Sequence, residues 1–249
     1  MKDLLMIEKI LVTKGRIITR EQLSLYLKKY KDKNKKISSL ISKGLLVKLK
    51  RGTYYISKIG SLGYTSISNY ILANTIGEQS FVSFEGALKY HGLFNQGLRK
   101  YKSISLKQYL TKTLEGTIYE YINVKEEQYF GLNLEKVDGG NAKIALKERA
   151  LLDILEYKRS INTVSLVLEK LIEYNTEIDI QLLVKYALHY SQTTTKTLGL
   201  LLDIAHIDST GLEKYINKKS TSRMLNTSDM FSNRWRLYYD SILLEKQEI

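Results

Sequence analysis

Ten cations fall between residues 28 and 51: Lys28, Lys29, Lys31, Lys33, Lys35, Lys36, Lys43, Lys48, Lys50 and Arg51. The only acid among them is Asp32. Such a stretch cannot enter a core, because a buried unpaired charge costs several kcal/mol. The stretch carries +9 of a formal net charge of +13. The chain has no proline and is rich in Lys, Ile, Asn and Tyr, as suits an A/T-rich genome. That bias spreads lysine evenly, so it does not produce the cluster.

Hydrophobic periodicity says what the cluster is attached to. Leu4, Ile7 and Leu11 recur at helical spacing, and Gly15 is a plausible stop. Arg16-Ile17-Ile18 is a β-prone step. Thr19-Arg20-Glu21-Gln22 fits a capping box opening a second helix, with Leu23, Tyr26, Leu27 and Tyr30 on its apolar face. Asp32 or Asn34 can cap a third helix that ends near Lys43-Gly44. Ile37, Leu40 and Ile41 form its buried face. Lys35, Ser38, Ser39 and Ser42 form the opposite one, which is narrow, polar and free of acids. Small donors and acceptors flanked by lysine suit base edges and phosphates in a major groove.

Residues 45–49 alternate as a strand, with Leu45, Val47 and Leu49 on one face. Lys50-Arg51-Gly52-Thr53 turns the chain, and Tyr54-Tyr55-Ile56 returns. A basic hairpin directly after a helix-turn-helix reads as a wing. The expected domain is a winged helix-turn-helix over residues 1–60 that binds duplex DNA. Its candidate contacts are Thr19, Arg20, Lys33, Lys35, Lys36, Ser38, Ser39, Ser42, Lys48, Lys50, Arg51 and Tyr54. A small helical cap with a solvated basic face is the alternative.

Gly60-Ser61-Leu62-Gly63 is a plausible linker to a second domain over residues 64–249. A helical stretch covers 65–74. Ser80-Phe81-Val82 reads as a strand, and Ser83 can cap a helix closed near Gly92. β-like runs follow at 101–106, 117–124 and 128–137. Asp138-Gly139-Gly140-Asn141 is a strong hairpin turn returning into Lys143-Ile144-Ala145. Beyond Lys147 the pattern is helical almost to the end, over 147–157, 162–174, 179–190 and 195–206, with shorter pieces later. Strands followed by a run of helices imply an α+β fold.

Composition narrows the chemistry. There is no cysteine, hence no disulfide or thiolate metal site. No apolar run approaches the ~20 residues of a bilayer span. Acids interrupt the apolar N-terminal stretch, so it does not read as a signal peptide. A cytoplasmic bacterial protein with no membrane association is expected. His91, His189 and His206 lack a neighbour at metal-ligand spacing, and no phosphate-binding glycine loop is present. No metal, cofactor or catalytic residue is assigned. Glu156-Tyr157-Lys158 matches a nuclease Glu-x-Lys, but it falls at a helix end. Arg149 and Asp153 sit at i, i+4 and can pair within a helix. A second basic cluster comprises Lys214, Lys218, Lys219, Arg223, Arg234 and Arg236 around Trp235. It reads either as a further nucleic-acid or partner surface or as a solvated face around a packed indole.

Three stretches together resemble the AbiEi family, antitoxins of type IV toxin–antitoxin and abortive-infection systems. Gly15-Arg16-Ile17-Ile18-Thr19, Gly44-Leu45-Leu46-Val47 and Lys50-Arg51-Gly52-Thr53-Tyr54-Tyr55 look like its winged-helix region. Residues 81–93 are similar to its "serine, then Ala-Leu, then His-Gly-Leu" stretch, as Ser83, Ala87-Leu88 and His91-Gly92-Leu93. Residues 144–153 are similar to its Glu-Arg-Ala-Leu-Leu-Asp stretch, with Lys147 where the family often has proline. The resemblance covers roughly residues 5–157. It implies a repressor of its own operon that binds inverted repeats in its promoter as two copies, dimeric on DNA. It further implies an antagonist of a nucleotidyltransferase toxin that forms no stable complex with it and has no enzyme activity of its own. A DNA-modifying or nucleolytic enzyme delivered by a winged helix, or a protein-binding adaptor, are the alternatives.

Overall fold

Ile7, Ile10 and Leu11 bury one side of the first helix, α1 (Lys2–Lys14). Leu4, expected on that side, stays exposed. This is a computed structural model, and it describes residues 2–57, 67–138 and 140–245. The expected linker at Gly60-Ser61-Leu62-Gly63 and Gly139 of the expected turn lie outside the described residues.

Strand β1 (Ile17–Thr19) leads into α2 (Arg20–Tyr26), and the capping box forms as expected, with Thr19 and Gln22 each satisfying the other's backbone N–H. The next helix, α3 (Lys33–Ser42), is capped by Asp32, which accepts from the Lys35 N–H at 2.9 Å. Its end is fixed by Gly44 at φ +68°, with Leu45 N–H donating back to Leu40 C=O. Strands β2 (Leu46–Lys50) and β3 (Thr53–Ile56) form an antiparallel hairpin with an irregular register between Lys48 and Lys50. Strand β1 adds to its other side, in the order β1-β3-β2. Ile7, Ile10, Leu23, Leu27, Ile37, Leu40, Leu46, Tyr54 and Ile56 make one core.

The hairpin is buried on both faces. Leu46, Tyr54 and Ile56 point into that first core, whereas Leu49 and Tyr55, with Val47 beside them, pack against Leu72, Ile76, Tyr101 and Tyr119 of the following segment. The expected grouping of Leu45 with Val47 and Leu49 is therefore wrong. The strand begins at Leu46, and Leu45 lies with the first core.

The second part is built on a six-stranded mixed sheet. Helix α4 (Asn69–Ile76) precedes β4 (Ser80–Val82), α5 (Phe84–Tyr90), β5 (Lys100–Ser105), β6 (Lys112–Leu114) and β7 (Thr117–Asn123). A short 3-10 turn at Glu126–Gln128 delays the expected strand 128–137, which starts only at Leu132 as β8 (Leu132–Val137) and pairs with β9 (Gly140–Ala145). The order is β6-β7-β5-β4-β9-β8. Pairs β5–β7 and β4–β9 run parallel, and the others are antiparallel.

Helices α6 (Lys147–Tyr157), α7 (Ile161–Glu173), α8 (Ile180–Ala187) and α9 (Gln192–Ile204) bury a continuous apolar core with Phe81, Phe84, Leu88, Ile104 and Ile144. After α10 (Thr210–Glu213) the chain is not helical as expected. Strands β10 (Ser222–Arg223), β11 (Met230–Ser232) and β12 (Leu237–Tyr239) form a small sheet before α11 (Ile242–Glu245). Strands of two or three residues are too short to show a period of two. The architecture is mixed α+β. No described helix is long and apolar enough to cross a membrane.

Candidate nucleic-acid interface

Burial of Ile37 and Leu40 rotates Lys35, Ser38 and Ser42 to the outside of α3, all exposed, with Ser39 half-buried beside them. Lys31, Lys33 and Asn34 are exposed at the start of the same helix. Arg20 donates to Asn34 Oδ1 at 2.6 Å, which ties the start of α2 to that of α3 and keeps the guanidinium at their junction. Ser42 Oγ donates back to Ser39 C=O at 3.0 Å, leaving its lone pairs outward. Lys48 and Arg51 are exposed on the hairpin.

Other candidates have prior engagements. Lys36 bonds Asp3 Oδ1 at 2.6 Å, and its ammonium lies 4.8 Å from the centre of the Tyr30 ring. Lys43 bonds the other Asp3 oxygen at 2.8 Å. These two lysines hold the Asp3 carboxyl down at about 2. Lys36 is thus a brace between α3 and α1, not part of the open face. Tyr54 is 7% exposed and belongs to the first core, so its expected surface contact is corrected to packing. Thr19 Oγ1 caps α2. Lys50 is ion-paired to Glu78, and Lys48 C=O accepts from Lys112 Nζ at 2.7 Å.

The second basic cluster is knitted into its own surroundings. Arg234 bonds Asp203 at 2.8 Å and Glu213 at 3.2 Å, and Lys218 bonds Glu213 at 3.0 Å. Arg223 stacks on Tyr238 and donates to Ser228 C=O, and Arg236 lies against Phe231. Trp235 is fully buried and donates to Asp203 Oδ2 at 2.6 Å. Lys214 and Lys219 stay exposed. The cluster is mainly a set of braces around the indole.

A third constellation lies in the interior, built on the Arg149–Asp153 pair expected from spacing and completed by Ser83 and Tyr190, which spacing does not show. Ser83 Oγ donates to Asp153 Oδ2 at 2.5 Å, across 70 residues. Arg149 reaches both Asp153 oxygens at 3.0 and 3.1 Å, and Tyr190 donates to Oδ1 at 2.7 Å. Phe130 and Tyr190 flank the Arg149 guanidinium. Ser83 and Asp153 have no exposure, and Arg149 has 1%. Burial raises the Asp153 carboxyl above its ordinary value, against the opposing pull of Arg149, Ser83 and Tyr190. Burial likewise opposes the Arg149 charge, but Asp153 with Tyr190 and Tyr157 together outweighs it and raises the Arg149 pKa. Ser83 was expected to cap α5; it sits at that position but makes no cap bond, and its hydroxyl is turned to Asp153 instead. His91 Nε2 bonds Ala145 C=O at 2.8 Å, and Glu148 accepts from the Asp179 N–H. The two motifs are thus halves of one buried knot. Glu156 accepts from Ser191 and Thr194, and Lys158 pairs with Glu85, so Glu156-Tyr157-Lys158 is bound into packing contacts. Among the described residues no group of three or more His, Asp or Glu is placed to hold a metal ion.

No protein-family model and no curated protein matches the chain. Among solved structures it is similar to the RV2827C protein from Mycobacterium tuberculosis, at a TM-score of 0.69 and 14% identity, over 96% of this chain and 92% of that one. At that identity the likeness is one of fold, running over nearly the whole of both chains.

Proposed function

We propose that the N-terminal segment is a winged helix-turn-helix that binds duplex DNA, with α3 reading the major groove and the β2–β3 turn holding phosphate. One observation carries this. The exposed side of α3 presents Lys35, Ser38 and Ser42, and no acid occurs anywhere from Lys33 to Arg51. Helices α2 and α3 with the following hairpin supply the order such a module needs. The DNA-facing set narrows to Arg20, Lys33, Lys35, Ser38, Ser39, Ser42, Lys48 and Arg51, with Lys50 available once it leaves Glu78.

We further propose that the chain is the antitoxin and autorepressor of a type IV toxin–antitoxin operon. It would bind inverted repeats in its own promoter as two copies and counter a nucleotidyltransferase toxin in the cytoplasm without a stable complex. This rests on the motif resemblance. The contacts of Ser83 with Asp153 and of His91 with the Ala145 carbonyl support it, since they join the two motifs in one structural unit.

The test is a gel shift with duplex from the chain's own upstream region, over a salt series, with and without Mg2+. Log affinity is expected to fall linearly with log salt, by about 0.9 per phosphate neutralised. Lys50→Ala with Arg51→Ala flattens the slope. Ser38→Ala or Ser42→Ala changes sequence preference, at a cost of about 1–3 kcal/mol for each base-edge hydrogen bond removed. Failure to bind any upstream fragment overturns the proposal, and Mg2+-dependent cleavage replaces it with the nucleolytic reading.

A further inference from the structure

A cleft of about 490 Å3 opens between β5, with the loop before it, and α7. That volume suits a ligand of mononucleotide size. Its walls carry four cations, Arg99, Lys100, Lys102 and Lys158, against two carboxylates, Glu85 and Glu169. Both carboxylates are already engaged, Glu85 by Lys158 and Glu169 by Lys170. Lys100 and Lys102 share one further acid, Glu120, at 2.8 and 3.7 Å. Arg99 is exposed and has no side-chain partner among the described residues. The cleft therefore holds cationic capacity that the protein does not neutralise.

A second observation points to an occupant. Ser165 lines the same cleft at 5% exposure, and its hydroxyl makes no hydrogen bond among the described residues. Its hydroxyl opens on the cleft and can bond whatever occupies it, water or ligand. Asn162, in the opening turn of α7, lines the same wall, where the helix dipole favours an anion. Phe94, Leu98 and Leu166 add an apolar flank on which the body of a ligand can rest.

We propose that this cleft binds a small phosphorylated molecule, with its phosphate on Arg99, Lys102 and Ser165 and its body against the apolar flank. The site is separate from the α3 face and does not depend on DNA binding.

The full-length protein is titrated calorimetrically with adenosine 5′-monophosphate, inorganic phosphate and adenosine. Saturable binding of the two phosphates, with Kd of about 0.1–1 mM, and none of adenosine is expected. Tighter binding of the monophosphate assigns the site to a phosphomonoester, and equal binding to the free anion. Arg99→Gln, at an exposed position, is expected to weaken binding about tenfold, and Ser165→Ala severalfold, with melting temperatures near wild type. Arg51→Gln on the hairpin is expected to leave it unchanged. The proposal is overturned by no saturation up to about 10 mM, by adenosine binding as well as its phosphate, or by loss with Arg51→Gln but not Arg99→Gln. DNA binding by Arg99→Gln, measured in parallel, distinguishes failure of this site from failure of the α3 face.

Discussion

Lys50, at the end of strand β2, is ion-paired to Glu78, which follows α4 in the second part of the fold. A cation expected to meet phosphate is thus held by the protein itself. Glu78 is 70% exposed on its side chain, so the pair adds little to stability. Glu78→Gln is expected to free Lys50, tighten duplex binding about two- to fivefold at low salt and steepen the salt dependence by about one phosphate. Fluorescence anisotropy with a labelled duplex reads this. Unchanged affinity would make the pair a staple between the two parts.

The Ser83–Asp153–Arg149 knot predicts a stability effect far from any DNA contact. Removing Asp153 leaves the Arg149 guanidinium buried and unpaired. Asp153→Ala is expected to cost about 3–5 kcal/mol, and Ser83→Ala about 1–3 kcal/mol. Urea unfolding measures both. Losses under about 1 kcal/mol for Asp153→Ala would show that Arg149 does not depend on Asp153 for its burial.

Gly199 in α9 has no room for a side chain, since a Cβ there would lie 2.3 Å from the Trp235 ring. The indole cannot retreat easily, with its N–H on Asp203 and the ring fully buried. Gly199→Ala is expected to destabilise by about 1–3 kcal/mol through overpacking. Trp235 is the only tryptophan in the chain, so its emission reports the displacement directly as a red shift. A variant with native emission and melting temperature would contradict the packing.

Asp3 gives a pH dependence of known sign. Its carboxyl is held at about 2, below its ordinary 3.8, by Lys36 and then Lys43. A depressed carboxylate stabilises the fold above its unfolded pKa, and that stability is lost as pH falls from about 4 toward 2. Because Lys43 is half exposed, the contribution is about 1 kcal/mol after solvent screening. Asp3→Asn is expected to remove this acid-side slope without altering stability at pH 2. Denaturant melts between pH 2 and 6 test it, and an identical slope in the variant would rule Asp3 out as its source.

Local signals were the legible ones. The capping box at Thr19 and Gln22, the Asp32 cap and the hairpin, found at 46–56, each depend on residues a few positions apart, and each is present. The open face of α3 followed from its buried face by simple rotation. Partners remote in sequence were not legible. Nothing near Lys36 announces Asp3, nothing near Lys50 announces Glu78, and Ser83 carries the marks of a cap although its hydroxyl belongs to Asp153. The cleft beside Arg99 is equally a product of topology, since it needs β5 and α7 side by side.

The double burial of the β2–β3 hairpin has a practical meaning for anyone dividing this chain. Cutting after residue 57 would expose Leu49, Tyr55 and Val47 to water as an adhesive stripe. The hairpin is a party wall, and neither room stands dry without the other.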